Sequence, residues 1–167
     1  MKFPTLKFGT YTTALVGIGI FSAATAVAEG SAEKFITSAL EGNLAEVNMG
    51  KLAEQNSDNP KVKSFGTTLR ADHSAAYRAA AVAATAIGQP VPTEPSKAQQ
   101  DMYYKLAALK GTQFDQAFTE HAIEDHKDDI AMYEKEAKAK DGVVSEYAAK
   151  TLPTLRKHLD MATKLAQ

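Results

Sequence analysis

Apolar residues at helical spacing, interrupted by short turns, constrain the fold of this chain more than any other feature. The clearest case surrounds Ser57-Asp58-Asn59-Pro60, a turn between two long stretches in which small and apolar residues recur every three or four positions. Asn59 suits the N-cap of a helix and Pro60 its first position, where the missing N–H of proline costs nothing. We therefore predict two amphipathic helices, over residues 31–56 and 60–87, that pair as a hairpin.

The second half of the chain repeats this plan. Three prolines within residues 90–95 exclude a helix there, because proline restricts both itself and the residue before it. Beyond them we predict a short helix over 96–109, a long helix over 112–140 and a fourth long helix over 143–166, with a kink at Pro153. No strand-like alternation of useful length occurs. The predicted fold is all-α, an antiparallel four-helix bundle with one short extra helix in the central connection.

The first 28 residues differ from the rest. Lys2 and Lys7 precede a short apolar run over 14–21, and Ala26-Val27-Ala28 forms a small-x-small cleavage signal before Glu29. The run is broken by glycines and falls below the roughly 20 residues that a membrane span needs. We predict a cleaved signal peptide over 1–28, export to the periplasm, and a single domain over 29–167 with no transmembrane span after cleavage.

Composition narrows the classes of partner and site. The 167-residue chain has 19 basic and 20 acidic residues, and removal of Lys2 and Lys7 moves its net charge from −1 to about −3. Without a basic patch, nucleic acid is not an expected partner. The chain has no cysteine, so disulfides and thiolate sites are excluded, and a metal ion would be held by His, Asp and Glu.

Each long helix carries one potential metal ligand on its apolar stripe. These residues are Glu46, His73, His126 and His158. At about 1.5 Å per residue, the first two lie roughly 18–20 Å from the first turn and the last two roughly 22–24 Å from the second turn. Both depths are near the middle of the helices, so the four side chains should meet at the bundle centre. Three imidazoles and one carboxylate suit a single zinc or iron ion, and no organic cofactor is predicted.

Two other interpretations stay open. A buried histidine is often a core residue hydrogen-bonded to a neighbour, and Glu46 could form a buried ion pair, which would make the chain a non-enzymatic envelope or stress scaffold with a metal-free Glu–His network. A hydrolase built on a zinc-bound water would need an open coordination position. Asp72 and Asp125 directly precede two of the histidines and are candidates for fixing ring orientation. The charged residues of 124–129, Asp125 included, are most simply an exposed face, and His121 is predicted to lie at the surface.

Several segments resemble the bacterial domain of unknown function 4142 family (DUF4142). They are Glu41-Gly42-Asn43-Leu44-Ala45-Glu46-Val47, Val62-Lys63-Ser64-Phe65 through Asp72-His73, Phe114-Asp115 through His126, and Thr151-Leu152-Pro153-Thr154-Leu155 through His158. The resemblance covers about 32–165. It implies a ferritin-like bundle in the cell envelope, periplasmic or outer-membrane-associated, with the same four residues as the matching polar positions.

This family has no agreed reaction, so the resemblance does not establish whether the chain is an enzyme. The chain also lacks the Glu-x-x-His pairs of di-iron ferritins, and only one of its four central candidates is a carboxylate. The resulting hypothesis is a periplasmic protein with one metal site, related to stress. A homo-oligomer or an envelope partner is compatible with it.

Overall fold

The computed structural model describes residues 23–140 and 142–167. They form five helices: α1 (Ala23–Asn56), α2 (Pro60–Ala86), α3 (Lys97–Ala107), α4 (Gly111–Ala137) and α5 (Val143–Leu165). These ranges contain no strand, so the predicted all-α class is confirmed. None of the helices in this part of the chain is long and apolar enough to cross a bilayer. Residues 1–22 of the predicted signal peptide lie outside the described residues, and α1 begins at Ala23, earlier than the predicted start at residue 31.

Local sequence signals account for where the helices begin. The side chain of Asn59 accepts a hydrogen bond from the Lys61 N–H at 2.9 Å, which satisfies one of the free amides at the start of α2. Ser96 caps α3 through a capping box with Gln99. The helix α5 continues through Pro153, which is exposed. Its bounds agree with the predicted ones to within one residue, and the predicted kink at Pro153 stays a prediction.

The first two helices form a tightly packed antiparallel hairpin. A Cβ atom built on Gly66 would lie 2.7 Å from the Ala53 Cβ and 2.7 Å from the Gly50 carbonyl oxygen. A Cβ on Gly50 would lie 2.5 Å from the Gly66 carbonyl oxygen, so both positions exclude any side chain. The two backbones are therefore in direct contact, and this contact fixes the register that brings the middle of α1 opposite the middle of α2.

The second hairpin, α4 and α5, packs against the first so that α2 and α4 run in the same direction. Phe65 lies against Phe118, and His73, further along α2, lies against His126, further along α4. The chain must therefore return from one end of the molecule to the other between α2 and α4, and the segment with α3 makes this passage. At its end, the Asn56 side chain donates a hydrogen bond to the Leu109 carbonyl at 2.9 Å.

The core consists of two apolar clusters with a buried polar layer between them. One cluster contains Leu40, Ala80, Tyr133 and Leu155, and the other contains residues of the same four helices on the far side of the layer, among them Met49, Leu69, Ala122 and Ala162. The residues between them are buried and polar: Asn43 and Glu46 on α1, His73 on α2, His126 on α4 and His158 on α5.

Candidate metal centre

The polar layer brings three histidines from three helices together. His126 and His158 have no exposed surface, and His73 is 3% exposed. Their ring centroids are 5.1 to 5.7 Å apart, and one nitrogen of each ring lies within 4.8 Å of those of the other two. Three of the four residues that depth counting places at one level therefore do meet, and Glu46 is not part of this group.

Hydrogen bonds to oxygen atoms fix which nitrogen of two of these rings is free. His126 Nδ1–H donates to the Ala122 carbonyl at 2.9 Å, and His158 Nε2–H donates to the Asp72 carboxylate at 2.9 Å. A carbonyl and a carboxylate only accept hydrogen bonds, so the proton of each neutral ring stays on that nitrogen. This leaves lone pairs on His126 Nε2 and His158 Nδ1.

Asn43 fixes the third ring in the same way. Its side-chain N–H₂ donates to the Ala39 carbonyl at 2.6 Å and to the Tyr147 hydroxyl at 3.0 Å, so the orientation of the amide is determined. The Asn43 Oδ1 then accepts from His73 Nδ1–H at 2.9 Å. His73 Nε2 is left with a lone pair, and this atom is buried with no hydrogen-bond partner.

The free nitrogens of His126 and His158 are spaced as two ligands of one metal ion. His126 Nε2 and His158 Nδ1 are 3.4 Å apart, and both ring hydrogens point to oxygens elsewhere, so two lone pairs face each other. A tetrahedral ion at 2.0–2.1 Å from each imidazole nitrogen would place those nitrogens about 3.3 Å apart. A metal ion between them would turn the repulsion of the lone pairs into coordination.

The electrostatics keep the rings neutral, which is the form that binds metal. Burial and, to a smaller extent, the neighbouring His158 lower the pKa of His126 to about 4. Burial and the two other histidines hold the pKa of His73 well below its ordinary value. Burial also lowers the pKa of His158, although Asp72 opposes this effect. All three rings therefore offer lone pairs at neutral pH.

Glu46 joins a second group of potential ligands that shares His126 with the first. The carboxylates of Glu46 and Asp125 and one nitrogen of His126 lie within 4.8 Å of one another. Glu46 is 3% exposed, and its Oε2 has no hydrogen-bond partner. Burial, followed by the charges of Asp125 and Asp129, raises the pKa of Glu46 well above its ordinary value. The predicted four-residue cluster is thus arranged as two overlapping trios.

Comparison with known proteins places the chain in a family. Residues 21–165 match the family model described as "Domain of unknown function (DUF4142)". The chain belongs to the DUF4142 family. No curated protein matches it in sequence.

Two solved structures resemble this DUF4142 protein in fold, and both are of DUF305 proteins. A DUF305 fragment from Deinococcus radiodurans has a TM-score of 0.71 at 16% identity and covers 81% of this chain and 95% of its own. The "putative secreted protein DUF305" from Streptomyces coelicolor has a TM-score of 0.63 at 15% identity and covers 83% of this chain and 91% of its own. At these identities the likeness concerns the fold alone.

The structure also places the residues predicted to surround the site in this DUF4142 chain. Asp72 does orient a histidine, but the ring belongs to His158 on another helix and not to the adjacent His73. The prediction of an exposed face over 124–129 is wrong for Asp125 and Asp129, which are half-buried near Glu46. It is confirmed for Glu124, Lys127 and Asp128, which are exposed. His121 is half-buried and belongs to neither group of ligands.

Sequence reasoning missed the role of Asn43. Its position gave a signal, since it lies one helical turn before Glu46 on the buried face of α1, where a polar residue needs a partner. The structure supplies three partners, and one of them, Tyr147, continues the chain of hydrogen bonds to the Tyr133 hydroxyl at 3.0 Å.

Proposed function

We propose that this DUF4142 protein is an exported, ferritin-like four-helix bundle protein that binds one divalent metal ion, zinc or iron, through His73, His126 and His158. The observation that carries the proposal is the convergence of three buried imidazole nitrogens whose rings are each oriented by a hydrogen bond on the opposite side. Metal-binding histidines in proteins are held in this manner, with the second nitrogen donating to a carboxylate, carbonyl or amide oxygen.

A metal-free network accounts less well for the same atoms. It leaves His73 Nε2 buried without a partner and sets His126 Nε2 against His158 Nδ1, although both nitrogens are acceptors in the neutral rings. A buried polar atom without a partner costs about 1–3 kcal/mol. An ion that coordinates all three nitrogens removes both costs at once.

The ferritin-like name and the location outside the cytoplasm rest on separate support. Neighbouring long helices run antiparallel, and the connection with α3 passes along the whole molecule, as in ferritin-like bundles. Residues 1–28 have the pattern of a signal peptide, and one protein of similar fold is described as secreted. We place the protein in the periplasm, where it is free or associated with the outer membrane.

The burial of the centre indicates what such an ion does. Two of the three ligand rings have no exposed surface, so a bound ion is shielded from bulk solvent and from large substrates. Glu46, which the sequence predicts as the fourth ligand, offers its carboxylate beside His126. Sequestration of a metal ion under stress fits this arrangement better than hydrolysis at a zinc-bound water, which needs an accessible open position.

Metal titration of the mature protein tests the proposal. We expect the chelator-stripped protein to take up one equivalent of Zn²⁺ or, under anaerobic conditions, of Fe²⁺. Zinc at 100 times its Kd would raise the free energy of unfolding by about 2.7 kcal/mol, measured by thermal or urea unfolding. The His126→Ala variant should lose the metal, whereas His121→Ala, which removes a histidine of the same helix outside the cluster, should keep it.

The alternative function is an envelope scaffold in which the polar layer serves only to hold the helices in register. The hydrogen bonds from Asn43 to Tyr147 and from Tyr147 to Tyr133, which join α1, α5 and α4, favour this role. Under this alternative, His126→Ala lowers stability without changing the metal content. A wild-type protein that carries no stoichiometric metal and gains no stability from either ion would decide in its favour.

A further inference from the structure

A group of carboxylates lies beside the three-histidine site, and the proposed metal ion does not account for it. Glu46 on α1 faces Asp125 on α4, and Asp129 follows Asp125 by one helical turn. Glu46 is 3% exposed, and the two aspartates are half-buried. Two acidic side chains, Glu46 and Asp125, therefore meet between two helices in the layer where the chain also places its buried histidines, and the charge of Asp129 acts on Glu46.

The basic side chain beside this group is His121, which opposes the rise that burial causes in the pKa of Asp125. Among the described residues, no lysine or arginine forms an ion pair with Glu46, Asp125 or Asp129. The Glu46 Oε2 atom is buried and accepts no hydrogen bond. Burial and the charge of Asp125 raise the pKa of Asp129 to about 8, which reflects the cost of holding these negative charges together.

His126 can supply a ligand atom to only one of the two groups. His126 is common to both groups, but its Nδ1–H is committed to the Ala122 carbonyl, so the ring has a single free nitrogen. Glu46 and Asp125 share a hydrogen bond, but if the free nitrogen of His126 binds the ion of the three-histidine site, the second oxygen of Glu46, Oε2, is left without a partner. A second cation is the partner that would neutralise them.

We infer that Glu46 and Asp125 form a second cation position, next to the three-histidine site, that takes a hard divalent ion such as Mn²⁺ or Fe²⁺. Carboxylate oxygens favour such ions, whereas imidazole nitrogens favour zinc and the later transition metals. The inference rests on the proposed function, because the ion held by the histidines is what leaves Glu46 to the second position. The centre is then a pair of unlike sites, one of nitrogen ligands and one of oxygen ligands.

Manganese binding to the zinc-saturated protein tests this inference. Free Mn²⁺ gives an EPR signal that is lost on binding, so a titration counts the ions bound per chain. We expect the zinc-loaded wild type to bind one Mn²⁺ without releasing zinc. Glu46→Gln and Asp125→Asn should each weaken Mn²⁺ binding at least about tenfold and keep the zinc, and both remove repulsion, so the variants should fold. Glu124→Gln, an exposed acid on the same helix, is the matched control and should bind Mn²⁺ like the wild type.

The outcomes separate the inference from the proposed function. If the zinc-loaded protein binds no Mn²⁺, or binds it only by releasing zinc, the second position does not exist and the histidine site is unaffected. Equal loss in Glu46→Gln and Glu124→Gln would also overturn the inference, because it would show a general charge effect. If His73→Ala abolishes zinc binding but leaves Glu46-dependent Mn²⁺ binding, the carboxylate position stands by itself. Mn²⁺ binding that depends on Glu46 in a wild type that takes no zinc supports the second position and refutes the proposed function.

Discussion

Replacement of Asn43 by leucine tests whether the side-chain amide of Asn43 orients His73 for metal binding. Asn43 is 3% exposed, and leucine has the same branching and the same number of side-chain heavy atoms, so the change removes the hydrogen bonds and keeps the shape of the side chain. It leaves His73 Nδ1–H without its acceptor and Tyr147 without one of its partners. The ring of His73 then has no group that keeps its proton on Nδ1 and its lone pair directed at the other histidines.

Two magnitudes follow from these contacts. A buried donor without a partner costs about 1–3 kcal/mol, and Tyr147 keeps its contact with Tyr133, so we expect Asn43→Leu to lower the free energy of unfolding by about 2 kcal/mol. Groups that orient a metal-binding histidine typically contribute 10- to 100-fold to metal affinity. Zinc affinity should therefore fall by roughly that factor, which corresponds to about 1.4–2.7 kcal/mol.

Tyr147→Phe is the matched control for this experiment. It breaks the hydrogen bonds of Tyr147 to Asn43 and to Tyr133 but leaves the one between Asn43 and His73, so stability should fall by about 1–3 kcal/mol with little change in zinc affinity. The measurements are urea unfolding of the chelator-stripped proteins and zinc competition against a chromophoric chelator. The reasoning is refuted if Asn43→Leu binds zinc as tightly as the wild type, or if both variants lose affinity equally.

Three further predictions concern the hairpin, the carboxylates and the carboxylate that orients a histidine. Gly66→Ala should lower the free energy of unfolding by about 1–3 kcal/mol, because its Cβ has no room between α1 and α2. The nearest contact of a Cβ at Gly42 would be 3.8 Å away, so Gly42→Ala should raise the free energy of unfolding slightly. Urea denaturation compares the two variants. Asp129 has a folded-state pKa of about 8, above its unfolded value, so the stability of the metal-free wild type should fall as pH rises from about 4 to 8. Asp129→Asn, which lacks this titration, should have about the stability of the wild type near pH 4 and be more stable by about 2 kcal/mol or more at pH 8. Equal pH profiles of the two proteins in urea unfolding would contradict the raised pKa of Asp129. Asp72→Asn should weaken zinc binding about tenfold, since a neutral amide does not support the His158 imidazole as a carboxylate does. Isothermal titration calorimetry measures the zinc affinity, and an unchanged affinity would show that the contact between Asp72 and His158 has no role in binding.

The fold could be predicted because it depends on signals that are local in the sequence. The turn at residues 57–59 carries its own cap and proline, and the apolar stripes of the long helices have the periodicity of an α-helix. The relative direction of the two hairpins could not be predicted, because it depends on how far the segment between α2 and α4 travels. Helix ends were predicted less well: α4 ends at Ala137 and not at residue 140, since the final turn of a helix has few contacts to hold it.

The level of the histidines could be predicted, but their hydrogen bonds could not. The rise per residue of a helix is constant, so counting from the turns was sufficient to bring His73, His126 and His158 together. Hydrogen bonds across helices depend in addition on the rotation of each helix about its axis and on the rotamer of each side chain. For that reason Asp72 orients His158 and not its neighbour His73. The half-buried state of Asp129 likewise depends on how α1 packs against α4.

The two roles considered for the polar layer depend on different atoms. Register between the helices is provided by Asn43, Tyr147 and Tyr133, whose hydrogen bonds are complete among themselves and with His73 Nδ1–H. The converging nitrogens take no part in that network, and well-packed apolar side chains in place of such a buried polar group often stabilise a protein. A scaffold would therefore gain stability by losing the imidazoles of His126 and His158 and keeping the asparagine, the tyrosines and the Nδ1–H of His73. Burial of the unpaired imidazole nitrogens has a free-energy cost that the structural network does not offset. Coordination of a metal ion would offset it.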